Sequence, residues 1–212
     1  MNAAPRARAV ARRGRDGTET RARIEAQALL LFAEKGVDGT SVRDIAQAVG
    51  VTEGALYRHF ASKETLAREL FLQHYAALAG EITAISARLP DLEGRVAAVV
   101  ELACRMFDEE PALFAYLLIN QHDHLRHVAD GPSVNAVEAV GVMMRGGGVK
   151  EADVAFATAT ALGCVVQPAV FALYGRLQLP LMRHAPRITA SILAALDTLR
   201  TASSPGESAG RR

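Results

Sequence analysis

The sequence predicts an all-α protein, with a small three-helix head followed by a larger helical body. Three observations carry this. Half of the 212 residues are hydrophobic but only 5% are aromatic, and Trp is absent. A core must therefore be assembled from Ala, Leu, Val and Ile, and Ala is the best helix former. Apolar residues recur at three- and four-residue steps nearly throughout, with no convincing alternating run for a strand. Finally, Gly, Pro, Ser and Thr stand where helices stop and start.

The elements follow in order. Residues 1–19 are read as a flexible basic arm, rich in Ala and Arg and without the apolar stretch of a signal peptide. Helix 1 is expected at about 20–35, with Ile24, Ala28, Leu31 and Phe32 on one face and Gly36 as its stop. Ser41 is a good N-cap for helix 2, about 42–49, with Asp44 three residues on. Gly50-Val51-Thr52 makes a short turn, and Thr52 caps helix 3, about 53–60. Ser62 caps helix 4, which reaches about Ala87 and links head to body. The head spans 20–66 and the body 67–202. Body helices are expected at about 93–108, 111–128, 132–146, 151–177 and 181–200, with Pro111 and Pro132 in first turns and a kink at Pro168. The Ser/Gly/Arg-rich tail, 203–212, is expected to be disordered.

Composition excludes several classes. Two distant cysteines, Cys104 and Cys164, form neither a disulfide framework nor a zinc ribbon, which points to a reducing cytoplasm. Residues 154–175 carry no charge and are long enough to span a bilayer. Thr158, Thr160, Gln167 and Pro168 within them, and the absence of an aromatic belt, favour a buried or interface helix, so no membrane partner is expected. Net charge is +1, yet residues 1–68 hold 12 Lys/Arg against 8 acids and the remainder 12 against 15. A basic head on an acidic body suits a polyanionic partner.

Two short helices joined by a glycine-bearing turn, here 42–49 and 53–60, are the signature of a helix-turn-helix. Its second helix enters the major groove, about 12 Å wide. The leading residues Thr52, Glu53, Gly54 and Ala55 are short or slim enough for that. The same geometry also occurs in plain packing.

The residues say more. Thr40-Ser41-Val42-Arg43-Asp44-Ile45-Ala46, then Gly50-Val51-Thr52-Glu53-Gly54-Ala55-Leu56-Tyr57-Arg58-His59-Phe60 and Ser62-Lys63-Glu64, with Leu31 to Gly36 before them, resemble the TetR family of bacterial regulators. The resemblance is dense over about 20–70 and architectural beyond. It implies a transcriptional regulator, most simply a repressor that a small-molecule effector releases from double-stranded operator DNA. It also implies roles: Thr40, Ser41 and Arg43 beside the DNA, Arg43 within reach of a guanine edge; Thr52, Glu53, Gly54 and Ala55 in the groove; and Tyr57, His59 and Lys63 on phosphates. A carboxylate at Glu53 either accepts from a cytosine amino group or turns aside to a basic residue. The Arg-rich arm is either a minor-groove ligand or a solubilising tail.

The same resemblance assigns effector binding and homodimerisation to the body, the latter through the last two long helices. Ala159 and Gly163 offer a small face for close helix approach. Candidate pocket residues are Met106, Phe107, Phe114, Leu117, Asn120, Met143, Gln167 and Phe171, an adaptable apolar set with two amides. His122, Asp123, His124 and His127 raise an alternative, a metal-dependent enzyme, or else the polar rim of a pocket or a solvated helix end. No nucleophile elbow, phosphate loop or spaced carboxylate pair supports catalysis, and no cofactor or metal is expected. A DNA-binding protein without a ligand is the third reading, and it predicts no cavity in the body.

Overall fold

The computed structural model describes residues 4–120 and 122–202, and these are helical with no strand among them. Helix α1 runs Ala4–Lys35, α2 Val42–Val49, α3 Glu53–Leu56 and α4 Lys63–Arg88. The expected flexible arm is thus corrected from residue 4 onward: α1 continues back through it, as a run of Ala and Arg, both strong helix formers, permits. Residues 1–3 and the tail, 203–212, lie outside the described residues.

The head closes around α1. Ile24, Ala28 and Phe32 meet Ile45, Ala46 and Val49 of α2, Leu56 of α3, Phe60, and Leu66, Ala67 and Leu70 of α4, all buried. The expected helix 3 is shorter than read. After Leu56 the chain turns, with the His59 and Phe60 amides donating to the Leu56 carbonyl at 2.9 and 3.0 Å, which folds Phe60 back into the core. Arg21 stands over the Phe60 ring at 4.4 Å and pairs with Glu25 and Glu69, each at 2.8 Å, so α1, the turn after α3 and α4 are tied at one corner.

The body is a bundle of α4 with α5 (Leu92–Glu109), α8 (Ala136–Gly146), α9 (Glu151–Leu173) and α10 (Ala185–Ala202). The helix expected at 111–128 is broken into α6 (Pro111–Phe114), a π-helical turn (Ala115–Ile119) and α7 (His122–Leu125). The wider turn accompanies a buried Tyr116 whose hydroxyl donates to the Ala67 carbonyl at 2.6 Å. The helix expected at 132–146 starts later, because Asn135 and not the region of Pro132 caps it: the Asn135 side chain accepts from Val137 and Glu138. Helix α9 passes through Pro168 and ends at Leu173, where Gly175 takes a left-handed conformation (φ 68°). The last helix is preceded by a 3-10 turn (Leu181–His184) whose amides at Leu181 and Met182 donate to the Asp108 carboxylate at 2.7 and 2.9 Å.

Head and body share one continuous core. Tyr116 lies near Phe32 of α1 and against Phe71 of α4, and Phe71 stacks on both Tyr75 and His124. His124 is therefore an aromatic core residue at the junction. His127 is exposed, with the Arg126 guanidinium donating to its ring at 3.3 Å. The side chains of His122 and Asp123 lie outside those described. Among the described residues no three His, Cys, Asp or Glu come together as a metal site.

Candidate nucleic-acid interface and effector cavity

The helix-turn-helix surface is built by capping. Ser41 and Asp44 form a reciprocal box: the Ser41 hydroxyl accepts from the Asp44 amide at 3.1 Å and donates to its carboxylate at 2.7 Å, and the Ser41 amide donates to the same carboxylate at 2.9 Å. The Ser41 hydroxyl, followed by its amide, holds the Asp44 carboxyl below the usual range. The tight turn after α2 needs Gly50 in the left-handed region (φ 75°), where its amide and that of Val51 return to the Ala46 carbonyl. The Thr52 hydroxyl then accepts from the Ala55 amide at 3.1 Å and opens α3.

What these caps present outward is Arg43 and Gln47, one turn apart on α2, and Thr52, Glu53 and Gly54 on α3, all exposed, with Ala55 half-buried beside them. Tyr57 is exposed, and His59 is half-buried at the following turn. Gly54 is informative. It is the second residue of the four-residue α3, and a Cβ built on it would meet nothing within 4 Å. Glycine loses more backbone freedom on folding than any other residue. No packing inside the protein asks for it, whereas close approach of a partner's backbone would. Gln47 was not singled out in the sequence; its amide suits the adenine edge, and only its helical register with Arg43 betrays it.

Two residues that the resemblance places at the DNA are committed inside the protein. Thr40 is buried, and its hydroxyl donates to the Gly36 carbonyl at 2.8 Å. Lys63 is half-buried, and its ammonium donates to the Val37 and Thr40 carbonyls, each at 2.8 Å.

In the body, α4, α5, α8, α9 and α10 enclose an apolar cavity with about 70 Å³ of room for water-sized occupants. Its walls include Tyr75, Leu78, Val96, Val100, Ala103, Met143, Val165 and Ile192, and no charged residue lines it. The Tyr75 hydroxyl is buried beside the Val137 backbone without a well-formed hydrogen bond, and burial raises its pKa. Of the expected pocket residues only Met143 is there. Met106, Phe107, Phe114 and Leu117 turn elsewhere: the cavity face of α5 is Val96, Val99, Val100, Leu102 and Ala103, and Phe107 packs edge-on against Phe114 at 5.2 Å. Asn120 is exposed at the cleft between α1 and the π-turn. Gln167 and Phe171 are exposed on a groove between α9 and α10.

That groove belongs to a stripe along α9. Phe156 and Phe171 are 65% and 49% exposed, and Tyr174 is 74% exposed, with the exposed Ala159 and Gly163 between the aromatics. Helix α9 is the one described helix long and apolar enough to cross a membrane by length and composition. Here its other side packs on α8 and α10.

Residues 24–70 match a family described as bacterial regulatory proteins, tetR family. The chain is 34% identical over 101 residues to the HTH-type transcriptional repressor KstR2 of Rhodococcus jostii (strain RHA1), covering 48% of either chain. The chain thus spans about half the length of the curated relatives it matches. Among solved structures it superposes on the fatty acid degradation regulator FadR from Bacillus halodurans with a TM-score of 0.68 at 17% identity, covering 84% of this chain and 96% of that one. It also superposes on the Bacillus subtilis regulator FadR in complex with stearoyl-CoA with a TM-score of 0.63 at 17% identity, covering 81% and 97%. At such identity these likenesses establish the fold.

Proposed function

We propose, from a chain whose residues 24–70 match the tetR family of bacterial regulatory proteins, that this protein is a homodimeric repressor of transcription which an apolar effector releases from its operator. One observation carries the DNA-binding half. The helix-turn-helix spends its capping groups internally and leaves Arg43, Gln47, Tyr57 and the side-chain-free Gly54 facing out together. Such a surface fits a major groove, with Arg43 on a guanine edge and Gln47 on an adenine edge.

Dimerisation is assigned to the α9 stripe with the exposed residues of α10. Large aromatics at the ends and Ala159 and Gly163 in the middle let a second copy cross closely and bury Phe156, Phe171 and Tyr174. Two such helices per subunit make a four-helix interface, which sets the two α3 helices about 34 Å apart, one turn of DNA. The effector site is assigned to the apolar cavity, because α4 forms both its wall and the C-terminal neighbour of the helix-turn-helix. An effector acts only by binding better to the state in which that spacing is lost. The cavity favours this reading over a ligand-free DNA-binding protein, and the location of action is the cytoplasm, where bacterial DNA lies.

The experiment is selection of bound duplexes from a random pool by the purified protein, with subunit number measured on the complex. A palindrome with half-sites one turn apart, bound by a dimer, is expected. A protein that enriches no sequence overturns the proposal.

A further inference from the structure

The Lys63 ammonium lies where carbonyls of another segment converge. Besides the Val37 and Thr40 oxygens at 2.8 Å, the Asp38 oxygen stands at 3.4 Å, while the neighbouring Glu64 is 4.0 Å away. These carbonyls follow the C-terminal end of α1, where a cation is favoured; on the first turn of α4, to which Lys63 belongs, a cation is disfavoured. The carbonyls offset that. Their loop is tight on its own account. Gly36 is left-handed (φ 73°), the Thr40 hydroxyl donates back to Gly36, and a Cβ on Gly39 would come within 2.3 Å of the Lys35 carbonyl. The loop delivers the chain directly to Ser41, the cap of α2, and to Arg43 two residues on.

We propose that Lys63 is a positioning residue for DNA recognition, tying the first turn of α4 to the 37–40 loop and so placing Ser41 and Arg43, and that it does not contact phosphate. Because α4 runs unbroken to Arg88 and carries Tyr75, Leu78 and Ile82 into the cavity wall, a displacement of α4 reaches the 37–40 loop and Arg43 through this side chain as well as through the shared apolar core. The inference rests on the DNA-binding reading.

The sequence supplies an internal control, since its three lysines are Lys35, Lys63 and Lys150, and Lys35 is exposed. Acetylation of the unmodified protein with N-hydroxysuccinimidyl acetate, mapped by peptide mass spectrometry, should modify Lys63 about tenfold more slowly than the exposed Lys35, roughly the factor one net hydrogen bond supplies. Addition of the selected duplex should leave that rate unchanged. A Lys63 that reacts as fast as Lys35 in free protein and becomes protected only on DNA overturns the assignment. The free-protein arm involves no DNA, so it stands apart from failure of the DNA-binding reading, which the selection experiment reports.

The variant Lys63→Met keeps the aliphatic stem and removes the donors. Its affinity for the selected duplex should fall about tenfold, again one hydrogen bond's factor. Affinity for a scrambled duplex and the salt dependence should stay unchanged. A phosphate contact would instead weaken both duplexes and lower the slope of log affinity against log salt by about 0.9 per subunit. Amide hydrogen exchange in residues 37–43 should quicken in the variant while α5 and α9 hold. An unaltered loop overturns the proposal, and should the variant fail to fold, the acetylation of the unmodified protein decides.

Discussion

The head and the body of this molecule are specified in different ways. In the head, short-range hydrogen bonds determine nearly every change of direction: the Ser41–Asp44 box, left-handed Gly50, Thr52 on Ala55 and Ser62 on Thr65. In the body, apolar packing decides, and it leaves slack. A cavity lies among Val, Leu, Met and Ala side chains, and the buried hydroxyls of Ser86 and Thr158 find no hydrogen-bond partner among the described residues. The difference suits the proposed function, in which the head must keep its geometry and the body must have two packings of similar energy.

The comparison breaks most severely at the α9 surface. Gly163 is exposed, and a Cβ there meets nothing in the same protomer. Gly163→Trp should leave the protomer folded yet separate the dimer, and operator affinity should fall by about a hundredfold or more as the two half-sites lose their linkage. Sedimentation together with fluorescence anisotropy measures both. A dimer that still binds DNA would move the interface elsewhere.

Arg43→Ala tests the reader alone. Preference at one base pair per half-site should relax by about 1–3 kcal/mol, with thermal stability unaltered. Equal weakening on every sequence would make Arg43 a phosphate contact.

Gly54→Ala separates stability from reading within one residue. Stability should rise by about 0.4–1 kcal/mol, since the added methyl enters open space, while affinity for the operator should fall under the proposed docking of α3 in the groove. Thermal unfolding and binding by the same sample should therefore move in opposite directions.

The smallest effect concerns the body's burial. Burial, aided by Asp108 and Glu101, pushes the Cys104 thiol up to about 11 from 9.0. Its folded pKa exceeds the unfolded one, so the stability it contributes is present below about pH 9 and is lost as pH rises towards 11. Burial raises Tyr75 and Tyr116 in the same direction. Denaturant midpoints should decline over that window, and Cys104 should resist alkylation at neutral pH; rapid alkylation of native protein would place it outside the core.

Much of the head is legible in the sequence because its instructions are local. A cap and its partner lie within three residues, and helices α2 and α4 start where Ser41 and Ser62 predict. The end of helix 3 is not legible, since Phe60 is drawn into a core supplied partly by α1. In the body, helix existence is legible and orientation is not. Phe107 and Phe114 look as suitable for a cavity as Val100 and Ala103, and which residues face it depends on how five helices are rotated about one another.

The sequence by itself thus determined the helical class, the helix-turn-helix and most of its caps, because capping and apolar periodicity act within one or two turns. Tertiary structure alone decided that Lys63 and Thr40 turn inward, that Tyr116 binds the Ala67 carbonyl, and that Gln167 and Phe171 sit on a surface groove instead of in the cavity. The Lys63 and Tyr116 bonds depend on a neighbour brought close by folding, 23 residues away for Lys63 and the Thr40 carbonyl and 49 for Tyr116 and Ala67, and no local pattern encodes which side chain will meet which carbonyl across that distance.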